Sequence, residues 1–370
     1  MRRLLTDLLL FAILFTASAE AVFRFLIPVP EGPNTAFDPQ YSIVKGDIDG
    51  NLRGTFSIGR LGQYRRQWQL NNEGWIDSID YQPTSKRKEG LVVLIGDSYI
   101  QGLQVSPSEH LGGLLRHELL PERQIYRVGW PHSSLAHYKR LARYAVDRFD
   151  PDTLVFLVVE GDMAQSLAEL DREPLTTQLR SSTAGFVEIP IADDAIRAPS
   201  FLGQTALSSA TFRYLVGVAG VRVGLESIQV EGPKLRVVQG ADLELERSAT
   251  SFIMRSIAEE YGNLKLLVVA DADRRQIYDT RGDLRQLVTP DWKVLLEAAC
   301  QAAGVEYLDL TPTLASDYAA RGRRFDFPTN YHWNPYGHQK AAEAIRHRLF
   351  SGPLSTKSTK TADPVPRIGR

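Results

Sequence analysis

The chain has 370 residues, 43% hydrophobic and 24% charged, with 43 Lys+Arg against 44 Asp+Glu and a formal net charge of −1. That length suits one large α/β domain with decorations or two smaller units, and the charge balance excludes a global electrostatic pull toward nucleic acid. A single cysteine, Cys300, excludes an intramolecular disulfide, and none of the seven histidines has zinc-ligand spacing, so the sequence calls for no metal or other cofactor.

In chain order, residues 1–30 come first. Arg2 and Arg3 precede the apolar run Leu8 to Phe15, and Ala17-Ser18-Ala19 follows. A positive start, a short apolar run and an A-x-A-like site read as a signal peptide. An uncleaved membrane anchor fits as well, because apolar character resumes at Ala21-Val22-Phe23. Against a full span, the run falls short of the roughly 20 residues a bilayer needs, and Asp7, Glu20 and Arg24 interrupt it. A buried N-terminal helix is the third reading. The first two place the protein outside the cytoplasm, exported to the periplasm or anchored in the inner membrane facing it, with its N-terminus in contact with membrane.

Residues 31–90 are rich in Gly, Asn, Asp and aromatic side chains, with alternating runs such as Gly54-Thr55-Phe56-Ser57-Ile58. They predict a β-rich accessory segment packed against the main domain. The acidic Asp47-Ile48-Asp49-Gly50-Asn51 resembles a calcium loop, but its glycine is misplaced for one, which predicts a tight turn.

Residues 91–350 alternate strand and helix. Leu91 to Ile95, Gln124 to Val128, Thr153 to Val159, Leu264 to Ala270 and Val305 to Leu310 are the strand candidates. Helical stretches run from Ser134 to Phe149, Pro290 to Ala303 and Pro335 to Leu349, the last with apolar residues at Ala341, Ala342, Ile345 and Leu349. Continuous apolar strands separated by helices predict a five-stranded, mainly parallel sheet covered on both faces. Residues 172–246 break the rhythm with a Ser/Thr-rich part and an apolar stretch, Phe212 to Val223. This insertion is either a lid or substrate wall, or a surface excursion sealing the sheet edge. The polar residues 351–370 predict a disordered tail.

In open α/β sheets, sites form beyond the carboxyl ends of the strands. The first strand ends in Gly96-Asp97-Ser98-Tyr99-Ile100-Gln101-Gly102. Glycine permits a sharp exit. Ser98 then projects at the top of the sheet, where the N–H groups and dipole of the next helix favour a developing oxyanion. Near the C-terminus, Asn330-Tyr331-His332-Trp333-Asn334-Pro335 precedes the last helix. A serine hydroxyl needs a base to take its proton, and a neutral imidazole such as His332 can do so near pH 7.

With these motifs the sequence resembles the SGNH/GDSL hydrolases over roughly residues 65–170 and 264–350. It is most similar to envelope-associated bacterial members, where a segment like Leu70-Asn71-Asn72-Glu73-Gly74-Trp75 precedes the GDS strand. The resemblance implies a flavodoxin-like three-layer α/β/α sandwich and a serine ester hydrolase that removes O-acyl groups from an envelope carbohydrate or lipid through an acyl-serine. O-acyl transfer to an envelope polysaccharide, or carbohydrate binding on a degenerate fold, are the alternatives. The resemblance makes Ser98 the nucleophile and His332 the base.

The supporting positions depart from the family. Asn330 and Thr329 stand where an aspartate is expected two or three residues before the histidine, with Asp326 as a replacement from a nearby loop. His132 stands at a glycine of the oxyanion hole, where its backbone N–H can still donate. Gly161 stands at an asparagine, flanked by Glu160 and Asp162, whose charges would oppose an oxyanion or contact substrate. Asp271-Ala272-Asp273-Arg274-Arg275 reads as a salt bridge or helix cap, or as a substrate contact. Trp130 and Trp333 read as sugar-stacking or core residues, and His338 as structural.

Overall fold

The structure, a computed structural model, describes residues 2–27, 29–83, 90–171, 173–192, 206, 208–218 and 240–350. The expected disordered tail at 351–370 and the end of the apolar stretch at 219–223 lie outside the described residues.

The main sheet contains β5 (Leu91–Gly96), β6 (Gln124–Gly129), β7 (Thr153–Val158), β10 (Lys265–Ala270) and β11 (Glu306–Asp309). Their spatial order is β11-β10-β7-β5-β6, and every pairing is parallel. The chain starts in the middle, steps to one edge and returns past its start to build the other side. That is the flavodoxin-like doubly wound order, whose switch point lies at the carboxyl ends of β5 and β7.

Alternation along the strands shows why they read as continuous apolar runs. Leu91, Val93 and Ile95 join one core layer, while Val92 and Leu94 join the other. Both faces are covered, so no polar face is needed. Helices Leu135–Phe149, Gly240–Tyr261 and Asp291–Ala303 contribute to the first layer; Thr311–Arg321 and Pro335–Phe350 contribute to the second. The fold is thus the three-layer α/β/α sandwich expected.

Within residues 31–83 the chain forms two hairpins, β1–β2 (Thr35–Asp38, Ile43–Gly46) and β3–β4 (Arg53–Ile58, Tyr64–Gln69). Asp47-Ile48-Asp49-Gly50 is a tight turn in which the Asp47 carboxylate accepts the Asp49 N–H at 3.0 Å. This segment shares the main core: Ile43, Trp75 and Tyr81 are buried within the first layer. Asp77 fastens it to β6. Burial alone would raise the Asp77 carboxyl, but Arg127 and Arg116 hold it well below the ordinary carboxylate range.

The insertion contributes the hairpin β8–β9 (Gln178–Ser182, Gly185–Ile189), with Glu188 paired to Lys139 and Arg140. This part lies against helix Leu135–Phe149. Helix Gly240–Tyr261 starts inside the expected insertion, and its later residues Ile253, Met254 and Ile257 belong to the core. At the N-terminus, helix Arg2–Ala21 continues as a π turn, Val22–Leu26. Residues Arg3–Leu26 are long and apolar enough to cross a membrane, with mean hydropathy 1.8 and none of the span buried. The buried-helix reading fails on that exposure, and the apolar element is longer than the run Leu8 to Phe15 suggested.

Candidate active site

Two further strands, β12 (Asp326–Phe327) and β13 (Asn330–Trp333), form a short hairpin beside the carboxyl end of the sheet. The hairpin carries the histidine, and β5 carries the serine.

The serine turn follows from close packing. A Cβ on Gly96 would lie 2.5 Å from Ile100 Cγ1 and 3.2 Å from the Leu157 carbonyl oxygen, so nothing larger than glycine fits. The Asp97 carboxylate accepts the Tyr99 N–H at 2.9 Å and caps the one-turn helix Ser98–Gln101. Gly102 closes it at φ +68°, where a Cβ would meet the His110 ring at 2.2 Å. The glycine four residues past the serine is therefore a left-handed helix end.

Ser98 Oγ lies 2.8 Å from His332 Nε2. The proton arrangement follows from the third member. Asn330 Oδ1 accepts the His332 backbone N–H at 2.9 Å, and the same oxygen lies 2.7 Å from His332 Nδ1. A backbone N–H can only donate, so the atom it meets is the amide carbonyl oxygen. Nδ1 must then carry the ring proton, and Nε2 is left as the acceptor facing the serine hydroxyl. Burial, reinforced by the positive charge of Arg274 and by His132, lowers the His332 pKa to about 4. The ring is neutral at pH 7.

Asp326 does not replace the missing acid. Its carboxylate is engaged by Arg324 and the Tyr278 hydroxyl. The tether of the histidine loop comes instead from beyond β10. Asp271 accepts from Trp333 Nε1 at 3.0 Å and pairs with Arg274. Arg274 donates to the Tyr331 carbonyl at 2.7 Å and to the Tyr99 hydroxyl at 2.6 Å, and that hydroxyl donates to the same carbonyl at 3.0 Å. Residues on both sides of His332 are thus tied to the sheet and to the serine helix. The salt-bridge reading of Asp271 and Arg274 holds, and Asp273 caps helix Arg274–Asp279. Their grip on the histidine loop needs contacts across about sixty residues of chain, for which the sequence carries no local signal.

Three backbone donors surround the serine in the topology. Ser98 follows the central strand β5, His132 follows its neighbour β6, and Gly161 follows its other neighbour β7. Their N–H groups find no acceptor among the described residues. His132 has φ +62°, in the left-handed region where glycine is the ordinary occupant, so the backbone keeps a glycine-like turn under a histidine side chain. That side chain is exposed, with Nδ1 3.9 Å from Glu173. Gly161 has φ +105°, and a Cβ there would find only Gln165 Nε2, at 3.8 Å. The place of an asparagine side chain stands open.

Asp162 departs from the expected substrate contact. Its buried carboxyl accepts the Val159 N–H at 2.8 Å and the Tyr138 hydroxyl at 2.7 Å, fastening the turn after β7. Burial, then the neighbouring Asp97, pushes it well above the usual carboxylate range.

Trp130 and Trp333 are both buried and belong to the core rather than to a sugar platform. The aromatic surface at the site is Tyr331, 61% exposed and stacked on His332 with ring centroids 4.6 Å apart. His338 is structural: it is buried, accepts the Leu111 N–H and stands edge-on to Trp333.

No protein-family profile and no curated protein sequence matches the chain. Among solved structures, the chain is similar to a two-domain esterase active on acetylated mannans, at 10% identity and TM-score 0.38, covering 70% of this chain and 49% of that one. It is similar to a member of the lipolytic protein G-D-S-L family from Veillonella parvula, at 12% identity and TM-score 0.36, over 70% of this chain and 98% of that one. An α/β hydrolase from the metagenome of Lake Arreo, Spain, matches at 14% identity and TM-score 0.36, over 71% and 95%. The chain itself has a doubly wound three-layer α/β/α fold in which the serine turn and the histidine hairpin meet beside the carboxyl edge of the sheet.

Proposed function

We propose that the protein is a serine ester hydrolase acting on O-acyl groups of a cell-envelope carbohydrate or lipid. The observation that carries this reading is the Ser98–His332–Asn330 relay, with a neutral imidazole whose free lone pair faces the serine hydroxyl at 2.8 Å. A binding protein on a degenerate fold has no need to keep that contact.

The chemistry follows from the geometry. Ser98 Oγ attacks the ester carbonyl as His332 Nε2 takes its proton. The carbonyl π electrons move to oxygen, and the N–H groups of Ser98, His132 and Gly161 are the donors available for that oxyanion. Collapse expels the alcohol, which takes the proton from Nε2, and leaves an acyl-serine. Water, deprotonated by the same nitrogen, then releases the carboxylic acid and restores the serine. Asn330 holds the productive tautomer through its carbonyl oxygen, but its neutral amide stabilises the imidazolium less than a carboxylate would. Tyr331 presents a ring face at the mouth of the site that suits the apolar face of a sugar.

The apolar N-terminal helix supports an exported protein, periplasmic or held at the inner membrane. The test is hydrolysis of acetylated oligosaccharides and short-chain aryl esters by wild type and Ser98→Ala. The reading predicts turnover by wild type alone, and turnover surviving in Ser98→Ala would refute it.

A further inference from the structure

The end of the N-terminal helix is gripped from two sides. The Glu20 carboxylate accepts hydrogen bonds from the Ser209 and Thr211 hydroxyls and from the Ala210 and Thr211 N–H groups, at 2.9–3.0 Å. Arg24, paired with Glu20, donates to the Ser208 carbonyl at 3.0 Å, and Phe23 stacks on Tyr214 with ring centroids 4.1 Å apart. From the other side, Arg65 of β4 donates to the Leu26 carbonyl at 3.2 Å. The helix exit is therefore clasped between the insertion at 208–214 and the hairpin β3–β4.

The surface around this exit is apolar where it should be wet. Phe25 and Leu26 are about as exposed as the apolar residues Leu4 to Phe15 earlier in the helix; Leu61 at the hairpin tip and Leu215 in the insertion are also exposed. Arg60 and Arg65 stand beside Leu61 with exposed side chains. Apolar side chains next to arginines, at the mouth of a membrane-crossing helix, match the boundary between acyl chains and headgroups.

We propose that the helix is retained as an anchor and that its exit is a collar, made by the hairpin tip 59–63 and the segment 208–218, which seats the domain on a phospholipid surface. The clasp accounts for the one acidic residue late in the span: Glu20 lies in its last two turns, near the interface, with its charge fully engaged. Removal of a leader ending at Ala19 would instead leave Phe25 and Leu26 facing water. The same hairpin touches the histidine loop, since Tyr64 of β4 packs against Phe327 of β12 with ring centroids 5.2 Å apart. The collar thus places β12 and β13 one hairpin away from the bilayer.

The test uses the full chain in vesicles of phosphatidylcholine and phosphatidylglycerol containing nitroxide-labelled lipid. Cys300 is buried, and burial pushes its thiol up to about 12, so an added surface cysteine takes the fluorescent label. Leu61→Cys and Leu215→Cys are compared with Val294→Cys on helix Asp291–Ala303, and the mass of the membrane-extracted chain is measured. Several-fold stronger quenching at positions 61 and 215 than at 294, on a chain that retains residues before Glu20, is expected. Equal quenching at all three would reduce the helix to a bare tether, and a chain beginning at Glu20 would show a removed leader; either overturns the proposal. Glu20→Ala should stay in the membrane but lose the quenching at position 215, and unchanged quenching there would eliminate the clasp.

Discussion

The two halves of the candidate site are built by different physics. The serine turn rests on the central strand of a five-stranded sheet, between buried side chains, with glycine at the two places where no Cβ fits. The histidine sits on a hairpin outside that sheet, held by Asp271, Arg274, Trp333 and Tyr99 through polar contacts. Packing against the sheet fixes Ser98. Trp333, packed in the core, and a charged tether reaching from beyond another strand fix His332.

The largest effects should come from the reacting groups on either side of this divide. Ser98→Ala and His332→Ala should each lower kcat by about 10⁴-fold or more, and the double variant by little beyond that, because the two act as a unit. Additive losses in a kinetic cycle would break the relay.

Next comes the tether. Arg274→Ala should lower kcat/KM by about 10²-fold through misplacement of His332. The protein should stay folded at a lower melting temperature, because the buried Asp271 loses its partner. An unfolded Arg274→Ala protein would show that the hairpin and the sheet are one unit after all, which would erase the contrast between the halves.

Asn330→Asp addresses the charge of the relay. With His332 lowered to about 4, the acid limb of the wild-type pH–rate profile should fall near pH 4. A carboxylate at 330 favours the protonated ring, so the limb should move to higher pH. An unmoved limb would mean that it reports a group other than His332.

A stability contribution that weakens as pH rises belongs to the serine half. Burial and the neighbouring Asp271 raise Asp97 to about 7, and burial and Asp97 raise Asp162 well above the ordinary carboxyl range. In the unfolded chain both titrate near 4, so the folded state holds extra protons between about 4 and 7. Stability from this source is full below pH 4 and is lost as pH rises through 7. The melting temperature of Asp162→Asn should fall less between pH 5 and pH 8 than that of wild type, whereas equal falls would place the protons elsewhere.

His132→Gly should have the smallest effect. The donor is a backbone N–H and φ +62° suits glycine, so kcat should change by less than the roughly 10²-fold that follows loss of a donor. A loss of that size would give the histidine side chain a role of its own.

Legibility in the sequence follows the same divide. The five strands, their parallel pairing and the serine turn were readable because alternation on two covered faces and a glycine at a strand end are local signals. His332 was readable from its place before the last helix. Asn330 is visible as a departure, but its geometry depends on one oxygen meeting two N–H groups, which spacing alone does not show. The raised carboxyl of Asp162 and the burial of Trp130 and Trp333 were not legible, because each depends on what packs over it. The tether was half legible: Asp271 and Arg274 read as a pair, but their partners Trp333 and Tyr331 lie about sixty residues away. At the N-terminus, the apolar run was plain and its length as a helix was not.

The central claim is that Ser98 is activated by His332. Incubation of the folded protein with an alkyl phosphonate or sulfonyl fluoride, followed by peptide mass mapping, tests it most directly. The account predicts one label, on Ser98, abolished in Ser98→Ala and slowed by orders of magnitude in His332→Ala. An unlabelled folded wild type, or equal labelling of wild type and His332→Ala, would contradict it.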